Sequence, residues 1–334
     1  MSSTIKDVAK EAGVSTATVS RVVNSFPSVS PEVRDRVERA MKKLRFVPDR
    51  KAKSLATGKT GSVVFLTSYE TLFEDPHKFA ILSGIEHSLA RYKYRVYFLQ
   101  VERGDLAPLR KMASQKEMDG LVVHGIEITP SLLDIVNEFA IPTLLIGEPK
   151  EKCSLSWIDN NNEVCGEVAA NCLLSHGRTH FLFVGGEEAD NISLSRLHGV
   201  KRALAKKGIE LEENRILSLE PVAIQAEKAV RAALSSFDID AVVAANNFLA
   251  LGALRALQDA KKKVPSEVSI ITFDDYPLAL YTKPKLSSVS IDVHSLGLSA
   301  GRAIVEQMRH PEQVSETYIA FPRLNERSST RYDK

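Results

Sequence analysis

Two groups of residues in this chain have types and spacings that can do chemistry. Near the amino end, Thr16, Ala17 and Arg21 fall on the outward face of a short helical stretch. An arginine can donate two parallel hydrogen bonds to a guanine edge, and threonine and alanine methyls can touch thymine methyl groups. Around them Ser15, Thr18, Ser20 and Asn24 are short donors suited to phosphate oxygens, which fix register without reading sequence. Farther along, polar residues stand directly after apolar, strand-like runs: Ser68-Tyr69-Glu70, His124, Glu148, Asn246-Asn247-Phe248 and Asp274-Asp275-Tyr276. Carboxylates and amides there can exchange hydrogen bonds with hydroxyls, and aromatic faces can stack on C–H patches, so such a set suits a hydroxyl-rich small molecule. For any one of them the competing reading is a helix cap, because Asp, Asn and Ser after a strand commonly cap the next helix.

The elements that must position the first group are three short helices. Thr4 can cap a helix with Ile5, Val8, Ala9 and Ala12 at i, i+3, i+4 and i+7, and Gly13 ends it. Ser15 can cap Thr16 to Asn24, which turns Val19, Val22 and Val23 inward. Ser30 with Pro31 opens a third helix carrying Val33, Val37, Ala40, Met41 and Leu44. The second helix is short enough to enter a major groove. A helical hairpin within some other domain, with Arg21 merely solvated, is the bland alternative. Pro48 stops the third helix, and Arg50 to Ala56 is too short to be a stable helix alone, so it folds only against a partner.

The second group needs parallel sheets. Strand candidates at 62–67, 95–101, 120–124 and 142–147 interleave with helical patterns at about 78–93, 105–116 and 131–139. A second series has strands at 180–184, 215–218, 241–244 and 269–273, with helices at about 163–175, 194–207, 223–236 and 248–261. Such alternation predicts right-handed crossover units, and its length exceeds one comfortable core, so two lobes are expected. Ligands in these sheets bind at the carboxyl ends of the strands.

Charge separates the two parts. The 334 residues carry a net charge of only +2, but residues 1–60 hold 13 Lys+Arg against 6 Asp+Glu, leaving a mildly acidic body. A compact basic segment suits nucleic acid, although charge alone also describes a solvated basic surface. At 44% hydrophobic and 26% charged the composition is that of a globular protein. No run approaches the ~18 apolar residues of a membrane span, and no export signal opens the chain, so a cytoplasmic location is expected. Cys153, Cys165 and Cys172 are too few for a disulfide framework and read as core residues.

Thr4-Ile5-Lys6-Asp7-Val8-Ala9 through Gly13-Val14-Ser15, followed by Thr18-Val19-Ser20-Arg21-Val22-Val23-Asn24, resembles the head of the lactose-repressor (LacI) family of bacterial transcription regulators. Val29-Ser30-Pro31-Glu32 and Phe46-Val47-Pro48-Asp49, with Ala52, Ser54 and Leu55, continue the resemblance into the family's hinge segment. It implies that two hinge helices of a dimer lie in the minor groove, where Leu55 wedges a base step; the alternative for Leu55 is a linker residue on the core. Lys53 stands where the family commonly has arginine, which keeps the charge and loses the planar guanidinium. Thr4 joins the residues placed at the DNA. The body resembles the family's type I periplasmic-binding-protein fold, and Ser193-Leu194-Ser195-Arg196-Leu197-His198-Gly199 is similar to the segment whose arginine clamps effector. Asn246 and Asn247 match an Asn-Asp pair with the aspartate replaced, Thr272 occupies a usual glycine position, and Ile291 stands where other members carry a polar contact residue.

These readings combine into an N-terminal all-α helix-turn-helix head plus an α/β two-lobed core with parallel sheets. The divisions expected are a head at 1–47, a hinge helix and linker at 48–60, and a core at 61–334. Lobe one takes about 61–160 plus 289–322, and lobe two about 161–288 plus 323–330. The function expected is a homodimeric repressor on a pseudo-palindromic operator of double-stranded DNA, controlled by a sugar or sugar acid between the lobes, with a protein corepressor also open. A sugar-binding transport protein would need an export signal, and an α/β enzyme would need a catalytic constellation that is not found. No cofactor is expected. Thr57-Gly58-Lys59-Thr60 is a phosphate-loop fragment whose first glycine is Lys53 instead. His176 and His180 have a metal-ligand spacing, but Gly177 between them ends the helix, so no metal is expected. His198 reads as pocket or packing chemistry, and Trp157 as bordering the cleft or filling a crossing between lobes. The polar tail from Leu324 lacks the heptad repeat of a tetramerisation coil.

Overall fold

In the head, α1 (Ile5–Ala12) opens with a capping box: the Asp7 amide donates to Thr4 Oγ1 at 3.4 Å, and the Thr4 amide donates to Asp7 Oδ2 at 2.8 Å. It ends at Gly13, whose φ of 64° is the left-handed conformation that closes a helix. α2 (Thr16–Val23) and α3 (Pro31–Lys43) complete a three-helix unit. Val8, Ala9, Ala12, Val19, Val22, Val37 and Ala40 form its core, with Ile5, Val33, Met41 and Leu44 at the edge. The computed structural model describes residues 3–23, 28–47, 58–68, 77–102, 104–149, 151, 153–186, 191–318 and 322–331. Expectations for Asn24, the hinge with Lys53 and Leu55, and Tyr69 lie outside the described residues.

The first sheet contains β1 (Ser62–Ser68), β2 (Arg95–Val101), β3 (Gly120–His124), β4 (Thr143–Ile146), β5 (Ser156–Asp159) and β11 (Glu316–Tyr318), ordered β11-β5-β4-β3-β1-β2 and parallel throughout. Every residue of β1 is buried, as expected for a central parallel strand covered on both faces. α4 (His77–Arg91) and α11 (Val293–Arg309) cover one face through Ile81, Ile85, Leu89, Leu296, Ala300 and Ile304. α5 (Ala107–Ser114) and α6 (Pro130–Glu138) cover the other through Leu109, Leu132, Ile135 and Val136. The second sheet is ordered β12-β10-β9-β8-β6-β7. It contains β6 (Phe181–Gly185), β7 (Ile216–Ser218), β8 (Ala241–Ala244), β9 (Ser269–Phe273), β10 (Ser287–Ser290) and β12 (Arg323–Asn325). Only β12 runs antiparallel there. α7 (Asn162–Ser175) pairs with α8 (Asn191–Ala205), and α9 (Ala223–Ser236) pairs with α10 (Asn247–Asp259).

The alternation therefore predicts the architecture, while β5, β10, β11, β12 and α11 go unanticipated. The strands are short, three or four residues each. α11 carries Gly297 and Gly301, and the first permits a close crossing: a Cβ on Gly297 would stand 2.1 Å from the Ile81 carbonyl oxygen of α4. β10 ends at Ser290 within the second sheet, and the chain then enters α11, which covers the first.

Candidate DNA-reading head and effector cleft

On α2, Thr16, Ala17 and Arg21 are all exposed, whereas Val19 and Val22 are buried. Arg21 makes no hydrogen bond or ion pair among the described residues, so its five donors face outward. Ser15 caps the helix: its Oγ accepts the Thr18 amide at 3.1 Å and pairs with Thr18 Oγ1 at 2.9 Å. Ser20 is half-buried. Thr4 and Ser15 are therefore helix caps first: Thr4 Oγ1 also donates its proton to Asp7 Oδ2 at 2.7 Å, and of the paired Ser15 and Thr18 hydroxyls one keeps an O–H for a phosphate oxygen. Lys43 is tied to Glu11 at 2.6 Å, which locks α3 onto α1.

In the body, the chain order places a switch point in each sheet, between β1 and β3 in the first and between β6 and β8 in the second. Ser68 and His124 stand at the first, where His124 stacks on buried Phe65 with centroids 6.0 Å apart. Asn246 and Asn247 stand at the second. Asn246 is indeed a cap, accepting the Leu249 amide at 2.9 Å. Asn247 is buried and donates Nδ2 to the Phe273 carbonyl at 2.6 Å, while its Oδ1 has no hydrogen-bond partner among the described residues. Phe248 is half-buried beside them.

Arg196 of α8 is 4% exposed and is held from three elements. Nη1 and Nη2 donate to Asp274 Oδ2 and Oδ1 at 3.1 and 2.6 Å, Nη1 also donates to the Ala245 carbonyl at 2.6 Å, and Nε donates to Asn162 Oδ1 at 3.2 Å. The guanidinium lies 4.5 Å from the Phe273 ring centroid. Asp274 and Asp275 have φ of 77° and 36°, in the left-handed region that aspartate enters more readily than most residues; Asp274 is held there by Arg196, and Asp275 by Arg327, Ser288 and Asn325. Burial acts to raise the Asp275 carboxyl, but hydrogen bonds from Arg327 and Ser288 bring it below its ordinary value. The segment around Arg196 reaches this place because α7 and α8 nearly touch. A Cβ on Gly199 would stand 1.9 Å from the Glu163 carbonyl oxygen, and one on Gly166 2.0 Å from that of Arg196.

On the first lobe, Glu148 is exposed and accepts Tyr318 Oη at 2.5 Å. Asp159, at the end of β5 where the chain crosses to α7, accepts the Glu148 and Asn160 amides at 3.1 and 2.6 Å. Burial pushes its carboxyl up to about 6 against those hydrogen bonds, and Arg196 across the crossing favours its charged form. Sequence reasoning missed Asp159, Asn162, Tyr318 and Lys78, which is 2% exposed in the first turn of α4. A carboxylate directly before Asn160-Asn161 was the one visible signal. His198, in contrast, is 65% exposed at its side chain and faces Glu163 outside the cleft. Trp157 packs edge-on against Tyr318 with centroids 5.0 Å apart, within the first-lobe core beside the crossing.

Residues 4–49 match the lacI family of bacterial regulatory proteins, and residues 170–330 match the periplasmic binding protein-like domain. The chain is 30% identical over 333 residues to catabolite control protein A of Streptococcus mutans serotype c, covering 98% of each. It is 28% identical over 313 residues to the HTH-type transcriptional regulator CelR of Thermobifida fusca, covering 91% of this chain and 92% of that one. A solved complex of the transcriptional regulator CelR with cellobiose superimposes with a TM-score of 0.76 at 26% identity, covering 98% of this chain and 99% of that one. A lac repressor dimer bound to operator and the anti-inducer ONPF gives 0.80 at 22% identity over 99% of each, a likeness of fold. The helix-turn-helix head, the two-lobed body and relatives spanning nearly the full length agree, and the protein belongs to the LacI family of bacterial DNA-binding transcription regulators.

Proposed function

We propose that this regulator is a homodimeric repressor whose paired heads read a pseudo-palindromic operator, and that a sugar or sugar derivative bound between the lobes sets its operator affinity. The observation that carries the effector half is the cage around Arg196: a buried guanidinium at a strand-end switch point, fixed by Asp274, Asn162 and Ala245. Asp159 and Glu148 lie at the carboxyl ends of the facing sheet. The carboxylates there accept the donors that a hydroxyl-rich ligand supplies. The solved cellobiose complex of a relative supports that class. Exposed apolar side chains on each lobe, Tyr97 and Phe98 on β2 and Leu278, Leu280 and Tyr281 after β9, supply surface for a second copy.

Coupling runs through the hinge at 48–60. An effector preferring one lobe arrangement changes the spacing of two hinge segments by its differential affinity for the two states. Retention of fragmented genomic DNA on the purified protein near physiological salt, followed by sequencing, tests the reading. A recovered pseudo-palindrome with a kinkable central step, released by one sugar in a panel, supports it. No enrichment with or without the panel rejects it.

A further inference from the structure

His176 and His180 do not converge: His180 turns to Asp240, with Nδ1 3.4 Å from Oδ2. His176 instead meets two residues that no motif announces. One turn earlier on α7 stands Cys172, and from the segment after β12 comes Glu326, whose Oε1 lies 2.5 Å from His176 Nε2. The Cys172 Sγ, a His176 ring nitrogen and a Glu326 carboxylate oxygen all lie within 4.8 Å of one another. We propose that Cys172, His176 and Glu326 form a binding site for a thiophilic divalent cation of the zinc type, away from the effector cleft.

Donor chemistry and geometry carry the assignment. A thiolate, an imidazole and a carboxylate are the three side-chain ligands zinc takes, and four-coordinate geometry separates such donors by roughly 3.3–3.7 Å. The cluster is already inside the reach of small rotamer shifts, with the His176–Glu326 hydrogen bond opening to admit the ion. Cys172 stands in the last turn of α7 and His176 is the C-cap that follows it, so two of the donors come from one short stretch of chain before the third arrives. Cys172 is 6% exposed, while the His176 and Glu326 side chains are 27% and 29% exposed, so an ion enters from their side and water completes the fourth position. Burial and the Glu326 charge push the Cys172 thiol up to about 11, a penalty that a cation between them reverses.

The ion bolts the carboxyl-terminal segment to α7. Glu326 is adjacent to Arg327, which grips Asp275 at 2.6 and 2.9 Å, and α7 begins at Asn162, which holds Arg196. The cluster therefore ties the last turn of α7 to the segment that carries Arg327. Binding is thus expected to raise the melting temperature of the body.

The test is titration of the untagged, metal-stripped full chain with cobalt(II), read by absorption, then displacement by zinc(II). The expected result is one equivalent bound with a thiolate-to-cobalt charge-transfer band and tetrahedral d–d bands. Cys172→Ser should remove the charge-transfer band, and His176→Ala and Glu326→Gln should each weaken binding on the order of 100-fold. Cys153→Ser and Cys165→Ser should leave both unchanged. Absence of the band in the unaltered chain overturns the proposal, as does its loss in Cys165→Ser or its persistence in Cys172→Ser. Should Cys172→Ser fail to fold, Glu326→Gln decides, because its side chain is partly exposed: unchanged cobalt affinity in that variant overturns the site.

Discussion

Arg196 and Asp274 meet through two parallel hydrogen bonds, with the guanidinium 4% exposed and the aspartate in the left-handed region at φ 77°. A carboxylate that accepts both nitrogens of a planar fork is held in place as well as in charge. That relationship changes how the effector site must be probed. Removing one partner of a buried pair leaves an uncompensated charge, at a cost of about 3–5 kcal/mol.

Asp274→Asn is the sharper substitution, because asparagine tolerates the left-handed backbone and only the charge is lost. The urea midpoint of the body should fall by the equivalent of about 3 kcal/mol, and Arg196→Ala should fall at least as far. Effector response should vanish in both when measured below their lowered melting temperatures, with operator binding by the unliganded protein retained. An unchanged midpoint in Asp274→Asn would show that the pair is not desolvated and does not organise the site.

Gly199 tests whether the crossing of α7 and α8 sets the cage. Its hypothetical Cβ would lie 1.9 Å from a backbone oxygen, which no rotamer change relieves. Gly199→Ala should force the helices apart, costing about 1–3 kcal/mol or more, and carry Asn162 away from Arg196. Thermal melting should register the first effect and a weakened effector affinity the second. Destabilisation without any change in effector affinity would separate the crossing from the site.

What the sequence disclosed and what it withheld divide along a physical line. Caps and periodicity are local, so the Thr4 box, the Ser30–Pro31 start and the alternation behind both sheets were legible. Arg196 was named through a motif, but its partners come from residues 34, 49 and 78 positions away, a proximity set only by the packed lobe. Cys172, His176 and Glu326 illustrate the same limit, since a sequence separation of 150 residues hides a 2.5 Å contact. The short strands β11 and β12 carry too few residues for a periodic signal, yet they return the chain to the first sheet and then the second.

Asp159 gives the crossing between lobes a pH response. Its carboxyl is raised from 3.8 to about 6 by burial, so the folded state binds more protons than the unfolded chain between those values. Stability contributed by the neutral form is present at low pH and is lost as pH rises from about 4 through about 6, by an amount on the order of 2–3 kcal/mol. Comparing wild type with Asp159→Asn across that range isolates the effect. The variant's stability should lack this fall, although it loses one backbone hydrogen bond at all pH values. Parallel profiles for the two proteins would place the carboxyl in a solvated setting instead.

Arg21 supplies the cleanest test of the head, because nothing within the described residues depends on it. An exposed side chain without partners can be removed with a stability change within about 0.5 kcal/mol. If its fork reads a guanine edge, Arg21→Ala should lose about 1–3 kcal/mol of discrimination at one base pair of each half-site, roughly tenfold to a hundredfold in relative affinity. Arg21→Lys should recover the charge and only part of the discrimination, since an ammonium cannot present two parallel donors. Binding of the purified variants to the selected operator and to single-base variants, at several salt concentrations, distinguishes this from a phosphate contact. A phosphate role predicts a uniform loss across sequences and a shallower salt dependence, whereas base reading predicts a loss confined to one position with the salt slope preserved.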